Sequence, residues 1–162
     1  MTEPRGRANP LFLREAELGQ GMEMLFYAYR DFAAAADGLL ARHGLGRAHH
    51  RVLYFVGRQP RLTVGELLDT LDVTKQSLSR VLRRLTDDGL VHQHRGARDA
   101  RHRELELTAR GAELERQLTE AQRRRLAEAY RAAGAEAVEG FRSVLAGMLP
   151  EATRARITGD GG

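Results

Sequence analysis

Apolar residues recur at intervals of three and four positions along most of this chain, which is the pattern of amphipathic helices. The spacing predicts helices over residues 15–41, 47–56, 64–71, 75–88, 109–133 and 135–149. The first helix carries the longest apolar stripe, formed by Leu18, Met22, Leu25, Phe26, Tyr29, Phe32, Ala36, Leu39 and Leu40. Two helix starts carry cap signals: Thr63 and Glu66 have the spacing of a capping box, and Thr74 precedes the next helix.

The pattern changes after Gly89, where residues 90–95 and 103–107 have the short alternating pattern of strands and residues 96–102 form a charged loop between them. Three helices followed by a hairpin are typical of a winged helix-turn-helix. We therefore predict a mainly α fold with a small β-hairpin wing. The expected organisation is an N-terminal dimerisation helix, the winged domain, C-terminal dimerisation helices and a flexible tail, over residues 14–45, 46–107, 108–150 and 151–162. Residues 1–13 are expected to form a flexible arm.

Basic charge is concentrated in one segment of the chain. Residues 74–110 contain nine basic and five acidic residues, whereas the remaining 17 basic residues are balanced by 17 acidic ones. The whole formal charge of +4 therefore lies on the predicted second helix of the turn and on the wing. Such a surplus favours an anionic partner, and nucleic acid is the first candidate.

Composition excludes several classes of function. The chain has no cysteine, which excludes disulfides, thiolate metal sites and thiol-based sensing. It contains no Gly-rich phosphate loop, nucleophile elbow or H-E-x-x-H pair, so we expect neither an enzyme nor a cofactor. No apolar stretch approaches 18 residues and the N-terminus has no signal-peptide core, so we expect a cytoplasmic protein without membrane contact.

Polar and basic side chains remain exposed on the helix over residues 75–88 once its leucines face inward. They are Lys75, Gln76, Ser77, Ser79, Arg80, Arg83 and Arg84. Arginine, lysine, glutamine and serine can contact base edges in the major groove, and an arginine-rich wing tip can enter the minor groove. The alternatives are an ordinary solvated helix face, or a winged-helix module that binds protein and not DNA.

Five short motifs, in this order and at this spacing, resemble the MarR family of bacterial transcription regulators. They are LTVGEL at 62–67, SLSRVLRRL at 77–85, GLV at 89–91, DAR at 99–101 and LTARG at 107–111. Two longer segments, at 46–58 and 74–82, also resemble the PetP-like subgroup of that family.

The resemblance implies that Arg101 enters the minor groove, that Asp99 orients it, and that Ser77, Ser79 and Arg80 line the major groove. With these residues, the candidate DNA-binding set is Thr63, Lys75, Gln76, Ser77, Ser79, Arg80, Arg83, Arg84, Arg98, Asp99 and Arg101. The chain departs from the family pattern at Arg83, where Asp is usual, and at His94, where a basic residue is common. Arg83 is expected to add a phosphate contact.

The flanking helices carry apolar stripes that a winged domain alone does not cover, so we expect a homodimer and an inverted-repeat operator in double-stranded DNA. An extra helical layer in a monomer is the alternative. We expect a repressor released by a small aromatic effector, with an activator as the alternative. The candidate ligand-binding residues are Tyr27, His43, His49, His50, Arg51 and Tyr54, which are otherwise hinge or helix-end residues.

His92, His94 and His102 share the predicted hairpin. Three histidines can hold a metal ion. We expect them instead to be polar residues near DNA phosphates, and we assign no metal site.

Overall fold

The computed structural model describes residues 10–159, which form eight α-helices and three short β-strands. The helices are α1 (Glu15–Ala34), α2 (Asp37–Arg42), α3 (Arg47–Arg58), α4 (Val64–Leu71), α5 (Lys75–Asp87), α6 (Ala109–Ala133), α7 (Ala135–Met148) and α8 (Glu151–Thr158). The strands are β1 (Leu62–Thr63), β2 (Val91–Arg95) and β3 (Arg103–Leu107). Leu11–Leu13 form one 3-10 turn of the predicted arm. Residues 1–9 of that arm and 160–162 of the predicted tail lie outside the described residues.

The three strands form one antiparallel sheet in the order β1-β3-β2. In β2 and β3, Val91 pairs with Leu107 and Arg95 pairs with Arg103, which confirms the predicted hairpin. The third strand, β1, was not predicted from the sequence. Its Leu62 pairs with Leu105 of β3, which connects the segment between α3 and α4 to the wing. The fold is therefore mainly helical with a small wing, as predicted.

The chain divides within α6 into two compact units, residues 1–122 and 123–162. The core of the first unit is built from leucines and valines of α2 to α6 and of all three strands. Its most deeply buried side chains are Leu40, Val52, Leu53, Leu67, Leu85, Val91, Leu105 and Leu118. Each predicted stripe from α3 to α5 contributes to this core, so the helix-turn-helix and the wing share one hydrophobic support.

The predicted helix over residues 15–41 is interrupted, and it forms α1 and α2 separately. The chain bends at Ala35 and Ala36, and Asp37 begins α2. The Asp37 carboxylate accepts hydrogen bonds from Nη2 and Nε of Arg47 at 2.7 and 2.9 Å, which holds α2 against the start of α3. The two residues of this ion pair are ten positions apart in the sequence, and a pattern of apolar spacing does not predict such a contact.

The second unit, residues 123–162, contains the end of α6 with α7 and α8. The rings of Tyr130 and Phe141 meet edge to face at 6.1 Å between centroids. Helix α8 lies in the segment that we expected to be a flexible tail. Pro150 precedes this helix, and Gly159 ends it in a left-handed conformation. Glu151 lies in the first turn and Arg156 in the last turn, where each charge interacts favourably with the helix dipole.

None of the helices described between residues 10 and 159 combines the length and the apolar character needed to cross a membrane.

Candidate nucleic-acid interface

The two helices of the turn begin at the predicted threonine caps. Thr63 Oγ1 accepts a hydrogen bond from the Glu66 N–H at 3.2 Å, while the Glu66 carboxylate accepts one from the Thr63 N–H at 2.8 Å. Thr74 Oγ1 accepts from the Ser77 N–H at 3.1 Å at the start of α5. Between the helices Asp72 adopts a left-handed conformation, with φ of 49°, which reverses the chain in a short turn. The caps and this turn fix where α5 begins.

Helix α5 buries Leu78, Leu82 and Leu85 and turns its polar face outward. The side chains exposed along that face are those of Lys75, Gln76, Ser77, Ser79, Arg80, Arg83 and Arg84. A helix whose N-terminal half exposes hydroxyl, amide and cationic groups has the donors and acceptors that base edges and phosphates require.

The wing and α5 face one groove. Lys75, Ser79 and Arg83 line it from the helix, Arg101, His102 and Arg103 from the wing, and Thr63 and Glu66 from the start of α4. Seven of these eight side chains are cationic, imidazole or hydroxyl groups. The groove is therefore suited to a polyanionic backbone.

The wing tip is ordered by a short-range ion pair. The Asp99 carboxylate accepts from the Arg101 N–H at 3.0 Å, from Nε at 3.2 Å and from Nη2 at 3.2 Å. These hydrogen bonds lower the pKa of Asp99 below its usual value. The Arg101 side chain is nevertheless 88% exposed, so the pair aims the guanidinium into solvent and leaves it open to a partner.

Most cations of this surface have no carboxylate partner. Within the described range 10–159, no carboxylate oxygen lies within 4 Å of Lys75, Arg80, Arg83, Arg95, Arg98 or Arg103. Arg95 and Arg103 face each other across the hairpin, an arrangement that like charges disfavour. Binding of an anion would reduce the electrostatic repulsion between these exposed cations.

Four of the α5 candidates lie outside the lining of this groove, namely Gln76, Ser77, Arg80 and Arg84, and Arg84 is held by other contacts. Its Nε donates to Asp88 at 2.7 Å and its Nη2 donates to the His43 carbonyl at 3.4 Å, at the junction of α2 and α3. Arg84 does not line the groove. Its side chain ties α5 to the preceding helices and is occupied by protein groups.

Comparison with known proteins places this architecture among transcription regulators. The sequence model of the MarR family matches residues 43–102. PetP of Rhodobacter capsulatus, described as an HTH-type transcriptional regulator, is 56% identical over 144 residues, which are 89% of this chain and 87% of PetP. The chain belongs to the MarR family. As a member of this family it is a helix-turn-helix transcriptional regulator and not an enzyme.

Solved structures agree with the MarR-family fold. A mutant of Escherichia coli MarR complexed with operator DNA matches with a TM-score of 0.64 and 24% identity, over 88% of this chain and all of that one. NadR in complex with 4-hydroxyphenylacetate matches with a TM-score of 0.62 and 22% identity, over 91% of this chain and 97% of that one. At these identities the two comparisons establish the fold.

The departure from the MarR-family pattern at position 83 changes the charge of the groove. Arg83 lines it together with Arg101 and Arg103. An acidic residue at this position can pair with a wing arginine, whereas Arg83 adds a further cation. In this chain the groove is therefore more positive than it would be with an acidic residue at position 83.

The six candidate ligand residues do not converge on one of the grooves around the wing. Their contacts differ: Arg51 donates to the Tyr29 hydroxyl at 2.9 Å, and His49 Nδ1 accepts from the Gly46 N–H at 3.0 Å. Tyr27 and Tyr54 each carry an arginine over the ring, Arg30 and Arg58 respectively. His43 supplies only its carbonyl to Arg84, and His50 is buried. None of the six lines the grooves that the wing forms with α4 and α5.

The three histidines of the hairpin also have separate surroundings. His94 Nε2 lies 3.7 Å from Glu104, and His102 Nε2 lies 3.9 Å from Asp99. Across the part of the chain that the structure describes, no three histidine or acidic side chains are grouped as metal ligands.

His50 is a buried histidine whose Nε2 has no hydrogen-bond partner among residues 10–159. Burial lowers its pKa below the usual 6.5, so as the pH falls the unfolded chain takes up the proton first. His50 should therefore not reduce the free energy of unfolding above about pH 6.5, and this free energy should decrease as the pH falls below that value. We expect His50→Leu to reduce this loss, measured by urea unfolding at pH 7.5 and about pH 5.5.

The exposed His92 provides the matched control, because His92→Gln removes an imidazole that is not buried. A residual loss should persist in His50→Leu, since burial also lowers the pKa of His49. Equal pH dependence in the wild type and His50→Leu would contradict the prediction.

Two residues of the wing support escaped the sequence analysis. Arg61 and Glu104 form an ion pair at 3.0 Å between the segment before β1 and the start of β3. The alternation of β3 predicts that Glu104 is exposed like Glu106, yet Glu104 is buried. The sequence carries no signal for this pair, because it depends on the pairing of β1 with β3.

Proposed function

We propose that this regulator is a homodimer that binds an inverted-repeat operator, with α5 in the major groove and the wing tip in the adjacent minor groove. The observation that carries the proposal is the shared groove, in which Lys75 and Arg83 of α5 face Arg101 and Arg103 of the wing. Cations without carboxylate partners are available to DNA phosphates, and their counterions are released when the phosphates replace them.

The apolar face of α1 supports the dimer. Leu18, Met22, Leu25, Phe26 and Tyr29 recur at helical spacing and are between 44% and 72% exposed. Monomeric proteins rarely leave such a contiguous apolar surface in water. A second copy would cover the stripe and would present two α5 helices about 34 Å apart, one turn of the duplex.

The test is footprinting on the promoter region of the protein's own gene, followed by fluorescence anisotropy with the protected duplex. If six to ten phosphates are contacted, affinity should fall by about three to five orders of magnitude between 50 and 200 mM salt. Protection should show twofold symmetry. An absent footprint, or affinity independent of salt, would rule out operator binding.

The dimer is tested by light scattering of the full chain and of Phe26→Asp. The wild type should have twice the mass of the chain. Because the substitution places a charge in the apolar stripe, the variant should be monomeric and bind the operator weakly. A monomeric wild type with full operator affinity would exclude the dimer.

We further propose that the protein is a repressor released by a small aromatic acid. The support is the fold shared with NadR, which was solved with 4-hydroxyphenylacetate. Tyr27, His43, His49, His50, Arg51 and Tyr54 remain the candidate contacts. Transcription in vitro with and without 4-hydroxyphenylacetate tests the proposal, and an increase in transcript on adding the protein alone would indicate an activator.

A further inference from the structure

Glu104 is the one acidic side chain that is buried among residues 10–159, with 7% of its surface exposed. Its two oxygens accept a bidentate pair from Arg61, Nε to Oε2 at 3.0 Å and Nη2 to Oε1 at 3.3 Å. These hydrogen bonds are the main cause that lowers the pKa of Glu104. A buried carboxylate is costly unless it is paired, so the arginine and the glutamate act as a unit.

The backbone of Arg61 indicates that its side chain matters. Its φ is 63°, a left-handed conformation that glycine adopts freely and other residues adopt at a cost of about 1–2 kcal/mol. Such strain persists where the surrounding structure holds the residue in place. In this chain the bidentate pair with Glu104 is the contact that holds it.

Glu104 also contacts the loop that carries the wing tip. His94 Nε2 lies 3.7 Å from its carboxylate. Gly96 fits against it closely: a Cβ at Gly96 would lie 3.2 Å from Glu104 Oε1 and 2.8 Å from the Asp99 carbonyl. The carboxylate therefore joins β1, β2 and the base of the 96–102 loop at one point.

This point lies where the hairpin needs support. Arg95 and Arg103 face each other at the neck of the wing, and Arg83 of α5 is a further cation across the groove. Repulsion between Arg95 and Arg103 tends to separate β2 from β3, and repulsion from Arg83 tends to move the wing away from α5. Glu104 follows Arg103 directly in β3 and supplies the negative charge at the neck without exposing it to DNA.

We propose that Glu104, held by Arg61, is the positioning residue of the wing. Resting on the proposed DNA binding, it fixes the 96–102 loop so that Arg101 reaches the minor groove while α5 occupies the major groove. Glu104 itself does not touch DNA. Its effect on affinity passes through the position of Arg101.

The experiment uses the full-length protein with Glu104→Gln, Arg61→Gly and the control Glu106→Gln. Glu106 lies on the same strand but is exposed. Arg61→Gly removes the side chain and relieves the positive φ, which offsets part of the cost of leaving the buried Glu104 without its partner, so the melting temperature of each variant is measured alongside. Amide hydrogen exchange of residues 96–102 in the free protein measures the wing directly.

We expect Glu104→Gln and Arg61→Gly to accelerate exchange in the loop and to weaken operator binding by about tenfold, whereas Glu106→Gln changes neither. Combined with Arg101→Ala, each variant should cause a much smaller further loss than it causes alone, since its effect on affinity passes mainly through Arg101. A role in stability alone would give losses that add to that of Arg101→Ala.

Unchanged exchange of residues 96–102 in Glu104→Gln and Arg61→Gly would overturn the positioning role whatever happens with DNA. Losses that add fully to Arg101→Ala would also overturn it. A wild type that shows faster loop exchange in both variants but has no affinity for any duplex would instead refute the proposed function, and would leave the Arg61–Glu104 anchor as a property of the free wing.

Discussion

Gly111→Ala should be among the most destabilising single substitutions in this chain. A Cβ on Gly111 would lie 1.9 Å from the carbonyl oxygen of Leu90 and 2.9 Å from its carbonyl carbon. Both contacts are with backbone, so no side-chain rotation relieves them. We expect a loss of about 3–5 kcal/mol in the free energy of unfolding, at the upper end of the effects of single substitutions.

The first turn of α6 must move away from Leu90 to accommodate the methyl group, and that movement breaks a local network. Thr108 Oγ1 donates to the Gly89 carbonyl at 2.7 Å and accepts from the Gly111 N–H at 2.9 Å, while the Thr108 N–H donates to the Leu90 carbonyl at 3.1 Å. Each lost hydrogen bond costs about 1 kcal/mol. The melting temperature should fall by roughly 10 °C, measured by circular dichroism.

Gly38→Ala is the matched control, because Gly38 lies in α2 and a Cβ there meets no atom within 4 Å. Alanine is the better helix former, so this variant should be unchanged or more stable by up to about 1 kcal/mol. If Gly111→Ala melts at the wild-type temperature, the close packing of α6 on Leu90 is wrong.

The parts of the fold that follow from local chemistry could be predicted from the sequence. Thr63 and Thr74 do cap α4 and α5, and α6 ends at Ala133 as predicted. A cap depends on residues three positions apart, and an apolar stripe depends on one helical turn. These signals are complete within a short window of sequence.

The parts that depend on distant pairing could not be predicted. Strand β1 is two residues long and exists because β3 pairs with it, and the burial of Glu104 follows from that pairing. Arg84 is an exposed arginine of α5 like Arg83, which lines the groove, yet it donates a hydrogen bond to the His43 carbonyl, 41 residues away. Which exposed cation faces the groove depends on such contacts and not on residue type.

The stripe on α1 shows a different limit. Its spacing predicts correctly that one face is apolar, and Ala36 and Leu40 at its end enter the core of the first unit. The N-terminal half of the same stripe remains exposed in the single chain. Periodicity indicates that a face needs cover, and it does not identify the molecule that supplies it.

Arg101→Ala should cause the largest loss of operator affinity among substitutions that leave the fold intact. The side chain is 88% exposed and its only described partner, Asp99, lies two residues away on the same tip. Replacing it therefore leaves the core unchanged, while each half-site loses a contact worth about 1–3 kcal/mol. Two wings in the proposed dimer double that cost, which we expect to appear as roughly a hundredfold or greater rise in Kd.

Arg116→Ala separates this contact from the general effect of charge. It also removes one positive charge, but Arg116 lies on α6 and pairs with Glu113 at 2.7 Å. Its Kd should stay within about twofold of the wild type at 150 mM salt, where distant charges are screened. Asp99→Asn should fall between the two, because Arg101 keeps its charge and loses the carboxylate that aims it. Equal effects of Arg101→Ala and Arg116→Ala would mean that the wing contributes only its charge and does not enter the minor groove.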